Sequence, residues 1–164
     1  MNQTTVTPET LQTFGADRGI ALFGYGLLFA SVFLMGFTGV AALIIAYVTR
    51  GQASPGVRRH LNAQIGMFWT GLFLAVVAIG LTVAGVWLLV DDVWRASPGA
   101  VAEADIWKTV TTHFSLVAKD SRLLILFLGA LIALAAHVVW GLAAPAIGFL
   151  RLATTDPKGV TAEP

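Results

Sequence analysis

Arg50-Gly51-Gln52-Ala53-Ser54-Pro55-Gly56-Val57-Arg58-Arg59-His60-Leu61-Asn62-Ala63-Gln64-Ile65-Gly66-Met67-Phe68-Trp69 separates two apolar runs of membrane length. It holds the tightest cluster of positive charge in the chain, and it carries a helix start. Ser54-Pro55 reads as an N-cap followed by proline at the first helical position. The serine oxygen can accept an orphan backbone N–H there, and proline has none to lose. Beyond it Val57, Leu61, Ile65, Phe68 and Leu72 recur at helical spacing. A helix is therefore expected from about residue 55. Its first two turns are expected in the membrane interface, with Arg58 and Arg59 toward headgroups and Val57 and Leu61 toward the acyl boundary.

The composition agrees with a membrane setting. Of 164 residues 57% are hydrophobic and only 12% charged, against about 25% charged in soluble domains. The shortfall falls in three runs: Ile20–Val48, Gln64–Val90 and Leu123–Leu150 contain no Asp, Glu, Lys or Arg. A helix needs roughly 20 apolar residues to cross a bilayer, and each run exceeds that. The expectation is an all-α integral membrane bundle with three transmembrane helices at 20–48, 64–90 and 123–150. It forms one domain over 1–164, with a polar tail at 1–19, a polar segment at 91–122 and a second tail at 151–164. The first run is too long for a signal peptide and lacks a basic flank. The chain has no cysteine, which excludes disulfides and thiolate chemistry. A net charge of +1 gives no basis for nucleic-acid binding.

Within 91–122, Ser97-Pro98-Gly99 reads as a turn. Asp105 can cap a short helix that puts Trp107, Val110, Phe114 and Val117 on one stripe. That pattern fits an amphipathic surface helix and equally a cap over the membrane helices.

Orientation follows from basic residues near helix ends. With three spans, Arg50, Arg58, Arg59, Arg151 and Lys158 share one side, and Arg18, Arg95, Lys108, Lys119 and Arg122 the other. The count is tied. The density of arginine in the short loop favours a cytoplasmic loop and C-terminus, with the N-terminus outside.

Few residues in this chain can carry chemistry. His137 lies inside the third run, and an intramembrane ionisable group invites a functional reading. It can hydrogen-bond a neighbouring helix as a neutral imidazole, or ligate haem with a partner's ligand. Arg50, Arg58 and Arg59 can anchor topology or meet anionic headgroups. His60 and Gln64, at i and i+4, share a helical face and can form one polar interface site or a local hydrogen bond. Small residues four apart mark packing faces: Thr38, Ala42 and Ala46; Gly129 and Ala133; Ala144 and Gly148. Pro145 is expected to kink the third helix and free the carbonyl of Gly141. Asp91-Asp92 reads as a solvated helix end. No Walker motif, metal-ligand spacing, nucleophile elbow or paired carboxylates occur.

Pro55–Leu72, with His60, Gln64-Ile65 and Phe68-Trp69-Thr70-Gly71-Leu72, resembles a family of small bacterial inner-membrane proteins of unknown function. Tyr47-Val48-Thr49-Arg50 matches that family's preceding element, and Trp140 with Gly148-Phe149-Leu150-Arg151-Leu152 resembles its closing helix. The family is grouped with the chloroplast inner-envelope translocon membrane subunit and some magnetosome membrane proteins. Its members often carry arginine where Gly66 stands and basic residues near Ala144 and Ile147. They usually have a short turn in place of Asp91–Ser121. The resemblance implies an inner-membrane location and supplies no catalytic residue. The leading expectation is a non-enzymatic accessory or assembly subunit that binds lipid bilayer and other membrane proteins or itself, without a cofactor or metal. The alternatives are an oligomeric transport or translocation component and a redox subunit holding haem through His137.

Overall fold

The computed structural model describes residues 8–96 and 120–154, and every element among them is helical. They are α1 (Pro8–Ser31), α2 (Phe37–Thr49), α3 (Pro55–Ala96) and α4 (Ser121–Thr154). The segment at 97–119, with the expected Ser97-Pro98-Gly99 turn and the Trp107 stripe, lies outside these residues. Two of the helices, α3 and α4, are long and apolar enough to cross a membrane. The chain divides into two compact units, one of residues 1–71 and 138–164 and one of residues 72–137.

In the first unit the structure departs from the expected three spans. The run 20–48 is a helical hairpin. The helix α1 ends at Ser31, and the chain reverses through residues 32–36 into α2. The reversal has a local cause. Met35 and Gly36 both take positive φ, 50° and 85°. The Gly36 N–H donates to the Ser31 carbonyl at 2.8 Å, the long-range bond that closes a helix when a left-handed residue follows it. Glycine adopts that conformation without strain. Met35 adopts it at a cost of about 1–2 kcal/mol. The two helices pack against each other; Gly39, Ala42 and Ala46 are buried, with Gly39 rather than the expected Thr38 completing the buried face. At 1.5 Å per residue, the 13 residues of α2 reach only about 20 Å, short of the roughly 30 Å of a hydrocarbon core.

A hairpin returns the chain to the end from which it started, and two contacts show this. The backbone N–H of Ser54 donates to Asp17 Oδ2 at 3.3 Å, and Arg18 Nη2 donates to the Ala153 carbonyl at 2.8 Å. Residues 17–18, 54 and 153 thus meet at one end. The expectation that the tail before residue 20 lies opposite the Arg50 loop is overturned, because the first run turns back halfway.

The helix start at Pro55 is as the sequence predicts, and Ser54 holds the cap position, its carbonyl accepting from the Arg58 N–H at 2.8 Å. The serine hydroxyl does not cap: it is buried without a hydrogen-bond partner in the described residues. Val57 and Leu61 are not at an acyl boundary. They are buried in the core of this unit with Ala21, Tyr25, Ala46 and Leu152, because α1, α2 and the end of α4 close over this face of α3. Arg58 and Arg59, on the opposite side, are exposed.

The second unit pairs the remaining lengths of α3 and α4. Phe127 packs against Gly85 and Leu81 against Gly129. The helix α3 continues through Asp91 and Asp92, and Asp91 pairs with Arg95 one turn on, at 2.8 Å. Asp120 Oδ1 accepts from the Arg122 N–H at 2.8 Å and so begins α4. The helix α4 is continuous through Pro145, whose ring is buried.

Candidate functional site

The polar side chains that the first unit draws inward form one cluster at the junction end. His60 and Gln64, one turn apart on α3, both face α1. The Tyr25 hydroxyl lies 3.1 Å from His60 Nδ1, and the two rings meet edge to face with centroids 6.1 Å apart. With the imidazole protonated at Nε2, the tyrosine donates to Nδ1. With Nδ1 protonated, the ring donates to the hydroxyl oxygen, and the hydroxyl proton can turn to the His60 carbonyl at 3.5 Å. Gln64, only 2% exposed, donates from Nε2 to the Ala21 carbonyl at 2.7 Å. Its Oε1 is buried without a hydrogen-bond partner among the described residues, and it is packed against Gly24. A Cβ at Gly24 would lie 3.2 Å from Gln64 Nε2, so the amide occupies the notch that this glycine leaves.

Tyr25 is seated by a second notch. A Cβ at Gly148 would stand 2.6 Å from Tyr25 Cζ and 2.9 Å from its hydroxyl. The tyrosine thereby joins three helices: it rests in α4, belongs to α1 and is hydrogen-bonded to α3. Trp140 adds a further tie, donating from Nε1 to the Met67 carbonyl at 3.2 Å. Hydrogen bonds between membrane helices are each worth about 0.6 kcal/mol on average and up to about 1.7.

The cluster puts His60 and Gln64 on one face, as the i, i+4 spacing predicts, though each bonds α1. Tyr25 and Gly24 escaped the sequence reading. A tyrosine and paired glycines inside an apolar run were the available signal. The Arg50 guanidinium stacks 4.7 Å over the Tyr47 ring, a cation–π contact. His137, on α4, is half-buried and engaged by other groups of the protein. Among the described residues no group of three His, Cys, Asp or Glu is placed to hold a metal.

Comparison with family models, curated proteins and solved structures finds no match.

Proposed function

We propose that this chain is an integral membrane protein that acts by binding other membrane components, as a non-enzymatic accessory or assembly subunit. In this reading α3 and α4 cross the bilayer, and the α1–α2 hairpin enters and leaves it on one face. The observation that carries the binding role is how polar side chains are used. Tyr25, His60, Gln64 and Trp140 fasten helices to one another. The apolar side chains of Phe73, Val83, Trp87, Ile125 and Leu131 face outward, toward lipid or partner helices.

The hairpin also breaks the tie in charge. Arg18 joins Arg50, Arg58, Arg59, Arg151 and Lys158, leaving Arg95 in the last turn of α3, Arg122 in the first turn of α4, and Lys108 and Lys119 between them in sequence. Six against four supports, by the positive-inside bias, a reading with both termini in the cytoplasm. A bacterial inner membrane is the location that the family resemblance supports. Affinity purification of the full chain from native membranes in mild detergent is expected to retain specific membrane proteins, or a second copy of the chain, at defined stoichiometry. Recovery as a lone monomer across several mild detergents would contradict the binding role.

A further inference from the structure

The turn between α1 and α2 is built without a polar side chain. Its residues 32–37 read Val, Phe, Leu, Met, Gly and Phe. Phe33, Leu34 and Phe37 are exposed, and Met35 is 92% exposed. A turn that faces water ordinarily carries Asn, Asp, Ser or Pro and leaves its backbone to solvent. This one turns its polar groups inward. The Phe33 and Leu34 N–H groups donate to the Ala30 carbonyl, Gly36 to Ser31 and Phe37 to Leu34, all at 2.8–3.1 Å. The hydroxyls that flank the turn are withdrawn from the surface. Ser31 Oγ donates to the Leu28 carbonyl, and Thr38 Oγ1 is buried. Hydrocarbon demands such internal bonding, because nothing in it can pair with a free polar group.

Two contacts give the level of the turn within the first unit. A Cβ at Gly141 would stand 2.6 Å from Val32 Cγ2, and one at Gly39 would stand 3.5 Å from Phe68 Cδ2. Phe68 and Gly141 both belong to charge-free runs. Phe68 is four residues in from Gln64, and Gly141 is nine in from Leu150, about 6 and 14 Å at 1.5 Å per residue. A hydrocarbon core about 30 Å thick leaves about 15 Å to each leaflet. The turn therefore lies at the depth of acyl chains.

We infer that the Phe33–Phe37 turn is a lipid-binding surface, and that its partner is the acyl chains of the leaflet the hairpin enters. The inference rests on the membrane reading above. The chemistry of the turn favours lipid over a partner helix. Membrane helices meet through small residues that allow close approach and through polar side chains that bond across the interface. Among the exposed residues of the turn there are neither: Phe33, Leu34, Met35 and Phe37 are bulky and wholly apolar. Met35, unbranched and the most exposed, adapts to an irregular surface such as packed acyl chains. The turn thus holds the hairpin to one leaflet at its tip, while Asp17 and Arg18 fasten it to the protein at its other end.

The test places a bimane label on single cysteines at Met35, Gln52 and Val76 of the full-length protein, which has no cysteine of its own. All three positions are exposed. Each labelled protein is reconstituted into phosphatidylcholine vesicles with plain or brominated acyl chains and titrated with aqueous iodide. The labels at Met35 and Val76 are expected to lose most of their emission in brominated lipid and to resist iodide. The label at Gln52 is expected to do the reverse. Should Met35→Cys fail to reconstitute, Phe37→Cys takes its place. With Val76 quenched by bromine, a Met35 label quenched by iodide as readily as Gln52 would put the turn in water and overturn the inference. A Met35 label quenched by neither would mean that protein covers the turn, a second copy or another chain, and overturns it equally. Failure of the membrane reading shows separately, as a Val76 label that brominated lipid leaves unquenched.

Discussion

Replacing Gly148 by leucine is expected to destabilise the protein by roughly 2–4 kcal/mol and to lower its melting midpoint in detergent by several degrees. The cause is steric. The Tyr25 ring lies where the new side chain begins, with Cζ 2.6 Å from the Cβ position. Tyr25 is 1% exposed and among the largest fully buried side chains, so moving it disturbs the packing where three helices meet. Overpacking of this kind costs about 1–3 kcal/mol. Displacing the ring also removes its hydrogen bond to His60, worth about 0.6 kcal/mol and up to about 1.7 between membrane helices. Gly66→Leu is the control, because a Cβ there meets nothing within 4 Å and the substituted residue stays on an exposed helix face. Chemical unfolding in mixed micelles measures both. Equal stability of Gly148→Leu and Gly66→Leu would mean that Tyr25 does not seat against α4.

The second large effect concerns which side of the membrane each segment occupies. A continuous helix over 20–48 would carry residue 16 to the face opposite residue 52. The hairpin brings them together. The difference is all or none at each position, and the chain offers a clean background for labelling because it contains no cysteine.

The residues that made the helix pattern legible were the ones whose local chemistry admits one answer. Pro55 has no N–H to lose at a helix start, and Val57, Leu61 and Ile65 repeat at helical spacing, so α3 was readable from its first turn. The length of the apolar run at 64–90 and at 123–150 likewise announced α3 and α4. The first run was misread because length and apolarity are the same for one long helix and for two short ones folded together. What distinguishes them is Gly36 at φ 85° and the burial of Gly39, Ala42 and Ala46 on α2. In sequence the small residues Thr38, Ala42 and Ala46 were indistinguishable from a face that meets any other helix. The burial of Val57 and Leu61 was misjudged for the same reason, since only the returning hairpin and the end of α4 cover them. In the candidate site, the i, i+4 spacing of His60 and Gln64 placed them on one face. Their partners, Tyr25 and the Ala21 carbonyl, are 35 and 43 residues away in sequence, and no local pattern encodes such pairings. The glycine notches at Gly24 and Gly148 are legible only once the side chains that fill them are known.

The orientation and the charge balance both depend on the hairpin. Single cysteines at Ala16, Gln52 and Ala153, each exposed, and at Gly99 test it with a membrane-impermeant maleimide on intact and permeabilised cells. The first three are expected to resist labelling in intact cells and to react together after permeabilisation, with position 99 reacting from outside. Labelling of Ala16→Cys from the face opposite Gln52→Cys would contradict the account.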